Sequence, residues 1–182
     1  MANSALLVMD IQRSIVDRFA SDTGYLPRLR TAIDKARAAG LPVIYVVVGF
    51  RAGHPEVSPR NKTFSALATG VNFGPDDPNA AVHPDVAPAD GDLVVTKRRV
   101  SAFAGSDLDL VLRAQDVRSL VLTGIATSGV VLSTLRQAAD LDFGLTVLAD
   151  CCLDADPDVH RVLTEKVFPR QADVLSVADW TP

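Results

Sequence analysis

Asp10 and Lys97 are the residues whose type and position first point to chemistry. Asp10 follows the apolar run "ALLVM" and Lys97 closes "DLVVTK", so each stands where a buried strand gives way to a loop. An acid and an ammonium leaving the same edge of one sheet form a close pair. A carboxyl desolvated beside such a partner is suited to moving protons. Taken singly, Asp10 serves equally well as the N-cap of a helix over "IQRSIVDRF", and a lone lysine is ordinary on a surface. A third stretch, "TGIATSGVV" from Thr123 to Val131, ends a strand in small residues and turns straight into a helix. That junction is where α/β enzymes seat a nucleophile or bind an anion, yet it holds no cysteine, histidine or carboxylate. Its hydroxyls, Thr127 and Ser128, would need a base and a reachable carbonyl to act as nucleophiles. Arg51, Arg60, Arg98 and Arg99 offer bidentate forks for a substrate carboxylate, or line a solvated surface. His54, in "GHPE", orients water or substrate, or shapes a turn.

The elements that must position these groups alternate along the chain. Buried strands are expected at 5–11, 41–50, 92–97, 119–125, 145–150 and 172–177, as continuous apolar runs rich in β-branched residues. Between them lie helix patterns. "YLPRLRTAIDKARAAG" spaces Leu26, Leu29, Ile33 and Ala36 on one face and stops at Gly40. Further helices are expected over 106–116, 128–143 and 156–167, with Ser106 and Asp156 as N-caps of the first and last. Six strands alternating with helices predict a three-layer α/β/α domain built on one parallel sheet. No repeat or linker divides residues 1–182. The exception to the pattern is 49–91, dense in Gly, Pro, Asp and Asn. A connection that long is expected to be a functional loop with one short helix.

Composition narrows the function. The chain has 182 residues, 48% of them apolar, and a formal charge of −4. It carries no basic excess to attract nucleic acid and no apolar run long enough to span a membrane. The N-terminus lacks a basic region before its short apolar run, so it does not read as a signal peptide. Cys151 and Cys152 are adjacent, giving neither a disulfide framework nor a metal spacing, and a reducing cytoplasm is expected.

The segments "ALLVMDIQRSIV", "VVTKRRVSAFAGSDLDLVLR" and "LVLTGIATSGVVLSTLRQAADLDFGLTVLADCC" resemble, in order and spacing, the signature segments of the isochorismatase-like hydrolases. The resemblance covers nearly the whole chain. It implies a six-stranded parallel sheet of order 3-2-1-4-5-6, a cis peptide at Ile125–Ala126, and a homodimer or larger homo-oligomer. It places Asp10 and Lys97 on the family's catalytic acid/base and lysine. It implies substrate contacts from the neighbourhood of Arg51, His54, Arg60, Phe103, Ile125, Ala126, Ser128 and Gly129. Amide-cleaving members read G-x-[AS]-T-x-x-C-V here, and their nucleophilic cysteine falls on Val130. Valine closes the thioester route. The nicotinamidase metal pattern is also missing near "GFRA", so neither a metal nor another cofactor is expected. Isochorismatases lack the cysteine too, because a vinyl ether is cleaved by protonation followed by water attack. The expected protein is a hydrolase of a small carboxylated molecule working through Asp10 and Lys97. The alternative is a silent member that binds a small molecule or a protein partner.

Overall fold

The computed structural model describes residues 3–19, 22–68 and 73–182. Residues 69–72 of the long connection therefore lie outside the description. The six strands are β1 (Ser4–Met9), β2 (Val43–Val48), β3 (Leu93–Lys97), β4 (Ser119–Ile125), β5 (Gly144–Leu153) and β6 (Asp173–Leu175). All neighbours pair in parallel, in the order β3-β2-β1-β4-β5-β6. The register matters for function. Met9 pairs with Val46 and Gly124, and Val48 pairs with Lys97, so the carboxyl ends of β1, β2, β3 and β4 meet at one edge.

Because side chains alternate along a strand, β1 divides the interior into two cores. Ala5, Leu7 and Met9 face one side with Ile44, Val46, Leu120 and Leu122. Helices α4 (Leu108–Ala114) and α5 (Leu132–Asp140) cover that side through Leu108, Leu112 and Leu135. Leu6 and Val8 face the other side with Val43, Tyr45 and Val121, against Val16 of the short helix α1 (Arg13–Val16) and Leu29, Ala32, Ile33 and Ala36 of α2 (Tyr25–Ala38). Leu29, Ile33 and Ala36 are the positions read from the sequence at 3.6-residue spacing, while Leu26 is only partly buried and Ala32 joins the core. Each fully buried Leu or Ile contributes roughly 1.5–3 kcal/mol. Gly40, at φ +70°, ends α2, and the Leu41 amide donates to the Ala36 carbonyl.

Several boundaries differ from expectation. The helix expected from 106 begins at Leu108: Ser106 Oγ accepts from the Leu108 amide and donates to the Ala102 carbonyl, tightening the preceding turn. The helix expected over 128–143 is a π-turn at Thr127–Val131 followed by α5. Asp156 does cap α6 (Pro157–Val162), accepting from the Asp158 and Val159 amides, before a π-turn at Leu163–Val167. β5 runs on to Leu153, so Cys151 and Cys152 lie within the strand and not beyond it. The long connection holds α3 (Lys62–Ala68) and two short 3₁₀ turns, Pro78–Ala80 and Pro84–Val86. It encloses a small cluster of Val48, Phe50, Phe64 and Phe73 against Ile15 and Val100.

Candidate active site

Beyond Met9 the chain turns at Asp10, which holds φ at +57°. An aspartate adopts this left-handed conformation more readily than most residues, at a cost of about 1–2 kcal/mol. The Asp10 amide donates to the Val46 carbonyl at 2.8 Å. Its Oδ2 lies 3.0 Å from Lys97 Nζ, which also donates to the Arg99 carbonyl at 3.0 Å. Both side chains are buried, Asp10 at 7% exposure and Lys97 at 2%. Asp10 Oδ1 has no hydrogen-bond partner among the described residues. Burial raises the Asp10 pKa above the ordinary carboxylate value, against the opposing pull of Lys97. A buried ion pair alone says little, because desolvation offsets its attraction. A buried carboxyl with one oxygen left unpartnered is a different matter, since it carries an unmet demand for a hydrogen bond.

The third side of the site comes from the end of β4. Gly124 holds φ at +142°, and a Cβ there would lie 2.4 Å from the Met9 carbonyl oxygen. Only glycine lets β4 pass so close to β1 at this point. The next bond, Ile125–Ala126, is cis. The π-turn that follows is held from outside by two contacts the sequence did not announce. Thr127 Oγ1 lies 2.8 Å from His160 Nδ1, and the Ser128 amide donates to Asp154 Oδ2 at 2.6 Å. The Gly129 amide donates to the Ala126 carbonyl at 3.0 Å. Two residues that the resemblance offers as substrate contacts have their amides engaged here. Ser128 and Gly129 spend theirs on fixing the turn.

These elements enclose a cavity of about 250 Å³. Asp10 and Lys97 line it with Gly129 and Val130, so four of the residues expected at the site come together. The remaining wall is mainly apolar: Ile15, Val48, Phe64, Phe73 and Val100, with Thr63 and Arg18. Val130 is fully packed, at 1% exposure, and carries no reactive atom.

The other expected contacts are placed elsewhere. Arg51 is largely exposed and pairs with Glu56 at 2.6 Å. Arg98 donates to the Gly49 carbonyl at 2.6 Å, and Arg99 donates to the Glu56 and Arg98 carbonyls. Glu56 thus gathers three arginines that sequence alone offers as clamps. Arg60 is exposed on the loop, and His54 stacks near Phe50 at 5.6 Å, neither lining the cavity. Phe103 is buried in the core against Phe143, on the α4 side of the sheet. Ile125 lines a separate small cavity with Tyr25 and His83 on the opposite face. Ala126 and Ser128 shape the π-turn without lining the cavity.

Two residues that sequence reasoning missed hold the site in place or open it. The Gln12 side chain is wholly buried; its Nε2 donates to the Val48 and Ala80 carbonyls and its Oε1 accepts from the Val48 amide. It ties the end of β1 to β2 and to the long connection. Arg18 reaches the cavity from the 3₁₀ turn Asp17–Phe19, three residues after Ile15. The cysteines are inert: burial pushes Cys151 up to about 12 and raises Cys152 as well. Among the described residues no group of three His, Cys, Asp or Glu side chains is placed to hold a metal ion, and no helix is long and apolar enough to cross a membrane.

Comparison with known proteins identifies the family. The isochorismatase domain family matches residues 4–179. A ureidoacrylate amidohydrolase of Stutzerimonas stutzeri is 35% identical over 183 residues, covering 86% of this chain and 72% of that protein. An uncharacterised isochorismatase family protein of Escherichia coli O157:H7 is 32% identical, over 97% of this chain and 93% of its own. Among solved structures, an isochorismatase family protein from Burkholderia thailandensis superposes with a TM-score of 0.83 at 29% identity, covering 97% of this chain and 93% of that one. The fold is also that of an N-carbamoylsarcosine amidase from Thermoplasma acidophilum, with a TM-score of 0.79 at 24% identity over 99% of each chain. The chain belongs to the isochorismatase family of hydrolases.

Proposed function

We propose that this protein hydrolyses a small carboxylated molecule by acid catalysis, without a covalent enzyme intermediate. The observation that carries the reading is Asp10: buried, raised in pKa, with Oδ1 unpartnered, lining a cavity in which Val130 stands where the resemblance puts a cysteine. For a vinyl ether, the protonated carboxyl gives its proton to the terminal alkene carbon. Water then adds to the oxocarbenium carbon, and the hemiketal breaks down to a ketone and an alcohol. Lys97, 3.0 Å from Oδ2, holds the carboxyl in place and stabilises the carboxylate left after proton transfer. This sequence uses no thiol.

Amide cleavage, the activity in the name of the Stutzerimonas relative, would need water in place of the missing sulfur. Asp10 would then serve as the base. Val130 also fits a member that binds without turning its ligand over. Turnover of isochorismate and of a panel of small amides by wild type and Asp10→Asn separates these readings. The proposal expects vinyl ether hydrolysis that is lost with Asp10; amide hydrolysis alone, or no turnover of either class, would refute it.

A further inference from the structure

We infer that Arg18 is the anion-recognising residue of the cavity and sets its preference for a carboxylate on an otherwise apolar substrate. The inference rests on reading the cavity as the hydrolytic site, and it deepens that reading by naming the residue that selects the substrate. Arg18 and Lys97 are the cations that line the cavity among the described residues. Lys97 is buried and committed to Asp10 and the Arg99 carbonyl. Arg18 is exposed, and its guanidinium makes no ion pair or hydrogen bond with any described residue. The site therefore runs from a closed acid–lysine floor to an open guanidinium mouth. Between them stand Ile15, Val48, Phe64, Phe73, Val100 and Val130.

This gradient has a chemical reading. Walls of branched and aromatic side chains take a flat or unsaturated carbon body. A guanidinium at the mouth takes a planar carboxylate through two parallel hydrogen bonds, a match that an ammonium lacks. A substrate so held presents its far end to Asp10. The competing arginines cannot supply this function from where they stand. Arg51 is held by Glu56, Arg98 donates to the Gly49 carbonyl, and Arg99, 5.8 Å over the Phe64 ring, donates to the Arg98 and Glu56 carbonyls; none of the three lines the cavity.

Benzoate and benzamide provide the test, because they share shape and ring and differ in charge. Their dissociation constants are measured by amide chemical-shift titration for wild type, Arg18→Gln, Arg18→Lys and Arg51→Gln. Wild type is expected to bind benzoate roughly tenfold more tightly than benzamide, as a charge-assisted hydrogen-bonded pair provides. Arg18→Gln should abolish that preference and leave benzamide unchanged. Arg18→Lys should restore part of it, and Arg51→Gln should keep all of it. An unchanged benzoate-to-benzamide ratio in Arg18→Gln overturns the inference. So does the failure of either probe to shift the amides of Val48, Val100 and Val130. Turnover distinguishes the two levels. Hydrolysis that needs Asp10, with a ratio indifferent to Arg18, removes the anion site alone. An Arg18-dependent ratio in a chain that turns nothing over removes the hydrolytic reading and leaves the anion site standing.

Discussion

At the scale of single residues the proposed chemistry rests on Asp10, with Val130 offering no reactive atom beside it. Burial raises the Asp10 pKa more than Lys97 lowers it. A general acid must be protonated to act, so kcat/KM should be highest below the folded-state pKa of Asp10 and fall as pH rises through it. That value lies above the ordinary 3.8. The same shift sets the sign for stability: the contribution of Asp10 is fully present below its unfolded pKa and is lost as pH rises through the folded one. A pH–rate profile that instead rises through that range would make Asp10 a base. Thiol chemistry gives a second check. Cys151 and Cys152 are buried protonated thiols, and only a thiolate alkylates at useful rates. Iodoacetamide should therefore leave wild-type turnover intact, whereas Val130→Cys should become sensitive to it through a sulfur beside Lys97. Loss of wild-type activity on alkylation would place the chemistry on one of the strand cysteines. Asp10 and Lys97 were legible in the sequence because strand ends in a parallel sheet point to one edge. Arg18 was not, because nothing in "VDRF" says that a 3₁₀ turn swings it over the cavity.

The junction at the end of β4 shows why elements, and not only residues, make the site. Gly124 passes within 2.4 Å (measured from a Cβ it does not have) of the Met9 carbonyl, immediately before Asp10. Gly124→Ala must push β4 away from β1 or bend Met9 and its neighbour Asp10. We expect a loss of stability of about 2–4 kcal/mol, in the range for strained or overpacked positions, together with a fall in turnover. Urea unfolding reads the first and initial rates the second. A variant as stable as wild type would show that the strands have slack. The π-turn could not be read from "ATSGVVLSTL", whose apolar spacing also suits a plain helix. Its shape is set by Asp154 and His160, which approach from beyond β5. Gln12 likewise looks like a surface residue in sequence, and only the closeness of β2 and Ala80 explains its burial.

At the scale of the whole molecule, the parallel sheet and its two-sided core followed from the alternation of apolar runs and helix patterns, whereas the strand order came from the family resemblance. The path of residues 49–91 did not, because Gly- and Pro-rich chain takes its course from tertiary contacts. The antiparallel bridge between Gln12 and Val82 and the Phe50–Phe64 packing determine it here. That connection folds Phe64 and Phe73 over the sheet edge and gives a row of strand ends an apolar wall. The proposed mechanism uses Asp10, Lys97 and this apolar wall, and asks nothing of Val130. The most direct test is the rate of pyruvate release from isochorismate by wild type and by Asp10→Asn. The account predicts turnover by wild type and a loss of about 10²–10⁴-fold in the variant, the range for removing a general acid. Equal rates for the two proteins, or no release by wild type, would contradict it.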